Sequence, residues 1–306
     1  MSRRVRQSPF HAVHSHDTLM HLEVAFERLA ACAKALPDAK EFLWLKQGGE
    51  FPSYDNLAFG YHGNVFAVRL YERAANGETP MTAEEIADLQ EYAQANRLVP
   101  CCFPIDAETH APLEEGWNLL SLLDGAPIDP AALPPAPDAT LSDWELLSLR
   151  TMAVVHWLQQ SRRGEIQNVC TLPGAVPQIF FQDGEGNRCW AIVQEHETTP
   201  DLKALLREYP ALQDGDGYLG VVTLTPPDGT NALLRTRLPE IRGDFDGLKR
   251  IYLAPTSRLV TAEDDKVLLG QPPPELPAEV PEEEVSGKGC LLFLIGALAA
   301  LLTACL

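Results

Sequence analysis

The sequence predicts an α/β (α+β) protein of two tandem units, each ordered helix, strand, strand, strand, helix, strand, followed by a C-terminal transmembrane helix. Three observations support this prediction. Helical and strand-like apolar patterns occur in the same order in both halves. A Gly-Asn dipeptide precedes the third strand of each unit. The last 18 residues, Gly289–Leu306, contain no charge and no proline. We infer an internal duplication from the first two observations; two unrelated α/β units that match by chance are the alternative.

The first unit begins with an amphipathic helix, because apolar residues from Leu19 to Leu36 recur at alternating spacings of three and four. Three short apolar runs follow and predict strands. The turn residues His62-Gly63-Asn64 separate the last two runs and predict a hairpin. The three runs are Phe42–Leu45, Leu57–Phe59 and Val65–Tyr71.

The rest of the first unit is predicted to contain a helix and a strand. Thr82 and Glu85 have the spacing of a capping box, which predicts a helix that ends near Arg97. A strand is expected over Leu98–Ile105. We also expect Leu113–Leu123 to form a short helix that ends this unit.

The second unit repeats this order. Ser142 and Glu145 form another capping-box pattern and predict a helix to about Gln160. The turn residues Asp183–Asn187 separate the second and third predicted strands. These strands are Ile166–Cys170, Gln178–Phe181 and Cys189–Val193.

The second unit closes with a capped helix and a strand. Thr199 is the expected N-cap, with Pro200 at the first helical position, and the strand is Tyr218–Leu224. The apolar runs Ala232–Leu234 and Ile251–Leu253 predict additional strands on this unit.

Two proline-rich stretches divide the chain. Ala126–Asp138 holds five prolines in thirteen residues, which predicts an extended linker. Gln271–Gly287 combines five prolines with five glutamates and predicts a semi-rigid, self-repelling spacer. The predicted segments are a polar His-rich N-terminal segment (1–16), a first α/β domain (17–125), a Pro-rich linker (126–141), a second α/β domain (142–262), an acidic Pro-rich spacer (263–288) and a C-terminal tail anchor (289–306).

The C-terminal tail has the length of a minimal membrane span, about 27 Å as a helix against about 30 Å of hydrocarbon. A buried C-terminal helix is the alternative, but such a helix normally shows a polar face. The tail also resembles a bacterial lipobox at Leu302-Thr303-Ala304-Cys305, which makes Cys305 a weak candidate for lipidation, although such signals stand at the N-terminus. The predicted anchor residues are Cys290, Leu291, Leu292, Phe293, Leu294, Ile295, Leu298, Leu301 and Leu302.

The overall charge limits the classes of partner. A formal net charge of −19 repels phosphate backbones and therefore disfavours nucleic-acid binding. The basic start of the chain lacks a following apolar region, so no secretory signal is recognised. With Lys288 directly before the tail, we expect a single-pass membrane protein whose soluble part faces the cytoplasm. A protein partner, with a basic surface that this charge would attract, is expected.

The cysteines outside the tail lie in apolar segments without CxxC spacing, which predicts reduced, buried thiols. The neighbours Cys101 and Cys102 would point to opposite faces of a strand and could not easily share a metal. These five cysteines are Cys32, Cys101, Cys102, Cys170 and Cys189.

A cluster of histidines near the N-terminus provides weak candidates for a metal site, because imidazole and carboxylate groups suit zinc. The position of this segment before the first helix instead favours a flexible or helix-capping role. No cofactor is predicted. The candidates are His11, His14, His16, Asp17 and His21.

Motifs of catalysis are missing from the sequence. Asp214–Gly217 and Asp244–Gly247 lack the twelve-residue calcium loop with its terminal Glu and are expected to be turns. Neither GxSxG, Walker A, GxGxxG nor HExxH is present. No catalytic residue is therefore assigned.

The element order resembles the core of the PD-(D/E)XK nuclease superfamily. In that family, an Asp on the second strand and an acid-x-Lys pair on the third hold a divalent metal and activate water. The positions of the pair are occupied by Val68 and Leu70 in the first unit and by Ile192 and Gln194 in the second. An apolar pair cannot supply hard oxygen ligands. The resemblance thus implies degenerate restriction-endonuclease-like cores.

The leading hypothesis is a membrane-tethered (tail-anchored) binding or scaffold protein without catalytic activity. The alternative is a membrane-associated enzyme with a divergent nuclease-like or hydrolase domain. Asp55 could stand for the second-strand Asp in the first unit, whereas Gln178 occupies that place in the second. The other polar residues near the third strands are His62, Glu72 and Glu195. A metal-sensing module built on the N-terminal histidines is a third hypothesis.

Overall fold

Two five-stranded mixed sheets, each with helices packed on both faces, form the described part of the chain. They are seen in a computed structural model that describes residues 16–46, 56–73, 81–161, 163–198, 200–226, 233–235 and 241–255. The strand order is β1-β2-β3-β4-β5 in the first sheet and β10-β9-β8-β7-β6 in the second. The predicted acidic spacer and tail, and most of the His-rich N-terminal segment, lie outside the described residues.

The first unit has the predicted order of elements, with one further strand. Its strands pair antiparallel except for β3 and β4, which are parallel because α2 crosses between them. The elements are α1 (His16–Lys34), β1 (Leu43–Lys46), β2 (Leu57–Tyr61), β3 (Asn64–Arg73), α2 (Ala83–Asn96), β4 (Val99–Asp106) and β5 (Leu120–Ser121).

The second unit repeats this arrangement strand for strand. The parallel pair is now β8 and β9, connected through α4, and the additional edge strand is β10. The elements are α3 (Asp143–Gln160), β6 (Gly164–Val169), β7 (Ile179–Asp183), β8 (Arg188–Gln194), α4 (Leu202–Glu208), β9 (Asp216–Thr225) and β10 (Arg242–Tyr252).

Along the third strand of each unit, successive buried side chains point alternately to the two faces of the sheet, so both faces are apolar and are covered by helices. In β3, Phe66 and Val68 pack into the cluster that includes α1, and Val65 and Ala67 pack into the cluster that includes α2. In β8, Cys189, Ala191 and Val193 face the α3 side, whereas Trp190 and Ile192 face the α4 side. A strand that is buried on both faces is typical of the centre of an α/β sheet.

The prediction of a helix over Leu113–Leu123 is wrong. This segment contains bends and turns on either side of the short strand β5. The side chain of Asn118 is buried, accepts a hydrogen bond from the Glu114 amide (2.6 Å) and donates one to the Pro104 carbonyl (2.9 Å). Asn118 also has a φ of 52° and Gly116 a φ of 63°, which a helix does not allow. Side-chain bonds to the backbone therefore replace helical hydrogen bonds here.

Two smaller predictions also change. The N-cap of α4 is Asp201, whose side chain accepts a hydrogen bond from the Ala204 amide at 3.0 Å. This places the cap two residues after the predicted Thr199. In the first apolar run after β9, the described residue Leu234 forms an isolated bridge with Thr140, whereas the second run, Ile251–Leu253, lies at the end of β10.

The two acidic segments that were expected to be turns belong largely to strands. Asp216 and Gly217 begin β9, and the Asp216 carboxylate accepts a hydrogen bond from the Ala254 amide at 2.8 Å. Asp244–Gly247 lies within β10, where the pairing register with β9 shifts between Phe245 and Leu248. The shift marks a bulge, and Gly247 has a φ of 115° there.

The proline-rich stretch after the first unit contains a short 3-10 turn and a second turn at Pro137 and Asp138, and it packs against the first sheet through Ile128 and Leu133. Pro130 is buried within a short 3-10 turn. The side chain of Asn64 donates a hydrogen bond to the Pro134 carbonyl (3.0 Å), and the Ala136 amide donates one to the His62 carbonyl (2.8 Å). The Gly-Asn turn thus holds the stretch in place.

A buried arginine of the second unit binds the first unit. The guanidinium of Arg235 donates one hydrogen bond to the Glu145 carboxylate (2.9 Å) and two to the carbonyls of Asn96 (2.7 Å) and Arg97 (2.8 Å). The exposed fractions of the Arg235 and Glu145 side chains are 4% and 1%. One guanidinium therefore caps the C-terminus of α2 and neutralises a carboxylate in the first turn of α3.

The first turn of α3 belongs to both units. Glu145 completes the predicted capping box with Ser142, while Trp144 packs against Tyr92 of α2 with ring centroids 6.1 Å apart. The indole N–H of Trp144 donates a hydrogen bond to Thr171 at 3.1 Å. The second unit is thus anchored in the core of the first.

Replacing Arg235 should destabilise the protein strongly. We expect Arg235→Met to lower the free energy of unfolding by about 3–5 kcal/mol, because the buried Glu145 carboxylate loses its charge partner. Adding Glu145→Gln should recover part of this loss, since an amide still supports the capping box without a buried charge. Chemical denaturation of the full chain measures both effects, and the exposed Arg242→Met is the control. Equal stability of Arg235→Met and Arg242→Met would contradict this role.

The exposed capping box of α2 should contribute to acid sensitivity. The Thr82 backbone N–H, which donates to the Glu85 carboxylate at 2.8 Å, is the main cause that holds the pKa of Glu85 below its ordinary value. Stability from this bond is therefore present above about pH 4.5 and lost as the pH falls through the lowered value. We expect Glu85→Ala to be less stable than the matched Glu84→Ala by about 0.5 kcal/mol at pH 7, because the side chain is partly exposed. The difference should shrink below pH 4 in urea titrations; a constant difference would contradict the assignment.

Candidate functional site

A polar cluster lies at the carboxyl ends of the parallel strands β3 and β4. Glu72 is next to the last residue of β3 and pairs in register with Ile105 of β4. His21 reaches this end from α1, and its Nδ1 atom lies 3.5 Å from Glu72 Oε1. The Nε2 atom of His21 lies 2.9 Å from Nδ1 of His110, which follows β4. We call His21, Glu72 and His110 the histidine cluster.

The loop after β4 positions His110 through the side chain of Asp106. One oxygen of this carboxylate accepts hydrogen bonds from the amides of Thr109 (2.7 Å) and Glu108 (3.0 Å) and from the Thr109 hydroxyl (2.9 Å). These bonds, led by the Thr109 amide, hold the pKa of Asp106 below its ordinary value. The backbone then turns at His110, whose φ is 57°. The tight turn directs the imidazole back toward α1.

The two imidazoles share one hydrogen bond. One ring nitrogen must donate and the other must accept, so at least one of the two rings is neutral when the bond is formed. His21 is the more enclosed partner, with a side chain only 8% exposed, whereas half of the Glu72 side chain meets solvent. Both ring nitrogens of His21 thus face protein groups, one an imidazole and the other a carboxylate.

The second unit has an ion pair at the corresponding position. Arg150 of α3 forms a salt bridge with Glu195, which directly follows β8. Glu72 and Glu195 are each the eighth residue after the asparagine of the Gly-Asn turn. His21 and Arg150 also occupy equivalent places on their helices, because buried residues follow each of them one, four and eight positions later. These buried residues are Leu22, Ala25 and Leu29 in α1, and Thr151, Val154 and Leu158 in α3.

The predicted site residues are only partly brought together. His21 and Glu72 meet, but His62 lies at the other end of β3, in the hairpin turn, 3.6 Å from Asp38. Glu195 follows β8 in the second unit. His16 and Asp17 lie at the start of α1 and their side chains are not described; His11, His14 and Asp55 lie outside the described residues.

The described residues contain no group of three His, Cys, Asp or Glu side chains arranged to hold a metal ion. On the third strands, Val68 and Ile192 are buried in the cores. Gln194 donates hydrogen bonds to the carbonyls of His196 (2.6 Å) and Thr198 (2.8 Å) and so orders the loop after β8. These positions serve packing and loop structure.

The five described cysteines are free thiols, as their spacing predicts. Burial raises the pKa of Cys102 to about 11 and that of Cys189 to about 12, and it raises the pKa of Cys101 further. Cys32 is the most accessible, and its Sγ lies 3.2 Å from the Gly116 carbonyl oxygen. The thiols are therefore mainly protonated packing groups at neutral pH.

Sequence reasoning missed two members of this arrangement, His110 and Arg150. His110 follows a strand in a loop without a recognised motif. Its role depends on a contact between residues 89 positions apart. An alignment of the two units on their Gly-Asn turns, followed by a comparison of their first helices, could have identified Arg150. Arg150 and His21 precede the core residues of their helices by the same numbers of positions.

Comparisons with known proteins identify no relative. No protein-family model, no curated protein and no solved structure matches this chain. Within the residues that the structure describes, none of the helices is long and apolar enough to cross a membrane. The tail predicted to do so lies outside them.

Cys32 should react with thiol reagents faster than the other four described cysteines, which are buried. In a Cys290→Ser, Cys305→Ser background, we expect maleimide to modify Cys32 first in the native protein at pH 8. The buried thiols should react only in denaturant, because burial both shields them and disfavours the thiolate. Peptide mass spectrometry identifies the modified cysteine. Native labelling of Cys101 or Cys189 at the rate of Cys32 would contradict the described packing.

Proposed function

We propose that this chain is a tail-anchored membrane protein whose soluble part faces the cytoplasm and acts as a binding or scaffold component without catalytic activity. The observation that carries this proposal is the uncharged 18-residue tail, Gly289–Leu306, which follows an acidic, proline-rich spacer. A run of this length and composition favours membrane insertion. The spacer would hold the globular part away from the bilayer.

The chemistry of the described polar residues supports a non-catalytic role. A divalent-metal nuclease or hydrolase needs clustered oxygen ligands. The polar residues near the third strands instead lie in separate places, with Glu72 beside His21 and Glu195 beside Arg150. We propose on the basis of element order that the units are degenerate restriction-endonuclease-like cores. Their acid-x-Lys positions would then have been taken over by packing and loop-ordering residues.

The partner that fits best is a protein with a basic surface. The formal net charge of −19 favours association with positively charged surfaces and disfavours nucleic acids and anionic lipid head groups. Long-range attraction of this kind mainly increases the association rate, and salt screens it. Binding through the soluble part should therefore weaken as the ionic strength rises.

Carbonate washing of membranes tests the anchor. We expect the full chain to remain with the membrane fraction and a version that ends at Ser286 to be released. A full-length Leu294→Arg, Leu298→Arg chain is the matched control, because each central arginine costs about 2.5–3.5 kcal/mol of insertion. Immunoblots of pellet and supernatant provide the measurement. Release of the unaltered full chain would overturn the anchor, and retention of the arginine variant would show that something other than insertion holds the protein.

A further inference from the structure

We propose that the segment Leu259–Leu269 of this chain docks onto the α4 side of the second sheet, as the start of α3 does on the α2 side of the first sheet. The docking surface consists of partly exposed apolar residues, which we call the open face. This inference goes beyond the proposed function and does not depend on whether the tail enters a membrane. The residues of the open face are Leu202, Leu206, Val221, Ile251 and Tyr252.

Helix α4 covers its side of the second sheet only in part. It has seven residues, whereas α2 has fourteen. The core beneath α4 is closed around Trp190 and Leu205, which are 1% and 6% exposed. The residues of the open face surround this core and keep part of their surface in solvent, and Leu253, directly after β10, is 45% exposed. Covering this apolar border with a further segment would be favourable.

The corresponding side of the first sheet shows how such a face is completed. Trp144, from the first turn of α3, packs there among residues of the sheet and of α2 and is 1% exposed. The chain therefore leaves the edge strand β5 and returns to the first sheet at the capped start of the next helix. Among the described residues beside this cluster, Leu45 and Leu122 are the ones that stay partly buried. The helix that follows the first unit thus completes its core.

The sequence after β10 contains a helix signal of the same kind. Thr261 and Asp264 have the spacing of a capping box, as do the residues at the start of α3. The apolar run Val267–Leu269 follows, and Gly270 stands where the end of a helix favours glycine. The sequence therefore predicts a short helix that carries apolar side chains and follows the second unit as α3 follows the first.

The described chain ends beside the open face, within reach of this segment. The ring of Tyr252 stacks on that of Trp190 with centroids 6.2 Å apart, and the Ala254 amide donates a hydrogen bond to the Asp216 carboxylate at 2.8 Å. These contacts hold the chain at the border of the sheet up to Pro255. The next six residues, 256–261, can span about 20 Å when extended. The segment can therefore reach the open face while β10 stays paired.

Charge also favours the chain's own segment as the occupant. The exposed surface of α4 carries Lys203 and Arg207, one turn apart, and neither has an ion-pair partner among the described residues. The segment brings three consecutive acidic residues, 263–265, to the start of its predicted helix. A second copy carries the same net charge of −19, which opposes association, whereas a covalently linked segment has a high effective concentration.

Photo-crosslinking of the full chain in detergent micelles tests the proposal. With p-benzoylphenylalanine in place of Leu206, we expect crosslinks to residues 259–269 of the same chain. An equal mixture of heavy-nitrogen and ordinary chains separates the two sources, because a crosslink within one chain joins peptides of one isotope. The matched control carries the photoreactive residue at Leu123, a 73% exposed leucine of the first unit, and should give no crosslink to the segment.

Hydrogen exchange provides a second measurement, in which the described part of the chain keeps its sequence. We expect Leu268→Asp to make the α4 amides exchange about tenfold faster, because an unpaired carboxylate opposes burial of the segment. The amides of α2 should change by less than about twofold and serve as an internal control. Leu276→Asp, in the proline-rich spacer beyond the segment, is the matched variant and should leave α4 unchanged.

Each outcome decides the proposal. Crosslinks from Leu206 to residues 259–269 within one chain, together with faster exchange of α4 in the Leu268→Asp chain alone, support it. Crosslinks that join heavy and ordinary chains would overturn it in favour of a second copy. Absence of crosslinks to the segment would also overturn it. Should the photoreactive residue disturb α4, equal exchange of α4 in the Leu268→Asp and Leu276→Asp chains would be sufficient to exclude the docking.

Discussion

The buried guanidinium of Arg235, which pairs with Glu145 in its own unit and binds two carbonyls of the first unit, is the group on which the arrangement of the two units depends. Arg235 follows β9 in the second unit, yet its guanidinium binds two carbonyls at the end of α2 and a carboxylate at the start of α3. Without Arg235, the Glu145 carboxylate would keep its hydrogen bonds from Ser142 but would be a buried charge without a cationic partner, and each of the two carbonyls would lose a hydrogen bond. The fork-shaped guanidinium satisfies all three because its donors diverge in one plane. Lysine could not do so with the same geometry.

On either side of this junction, the same order and pairing of strands occurs once in each unit. A three-stranded antiparallel meander leaves one open edge, and a helix then crosses the sheet so that the next strand can pair parallel to the third. Such a crossover requires a central strand that is apolar on both sides, and β3 and β8 satisfy this requirement. The repeated order of elements is therefore accompanied by a repeated burial pattern, in which the third strand of each unit is covered on both faces.

The polar contacts diverge where packing does not constrain them. Both units place a carboxylate near the end of the third strand and a basic side chain on the helix that covers it. In the first unit, the basic group is a histidine that must share its hydrogen bond with a second histidine from the loop after β4. In the second, an arginine completes the contact alone. A basic side chain thus occupies the corresponding position in both units, while its hydrogen-bond partners differ.

The sequence by itself determined the class and order of the elements. Helical periodicity, the two capping boxes at Thr82 and Ser142, and the Gly-Asn turns are local signals, and each depends on residues only a few positions apart. These signals were sufficient for two αβββαβ units and for free cysteines, of which four are buried and Cys32 is only partly buried. They failed at Leu113–Leu123, where a distant carbonyl binds Asn118 and replaces helical bonds.

Only the tertiary structure decided which polar residues meet. His21 contacts a residue 89 positions away, and Arg235 contacts groups about 90 and 139 positions away. No local pattern encodes such distances, because they result from the pairing of strands and the packing of helices across them. The sequence therefore predicted His21 and Glu72 as separate candidates. Their contact with each other and with His110, and the similar position of Arg150 and Glu195 in the second unit, are seen only in the fold.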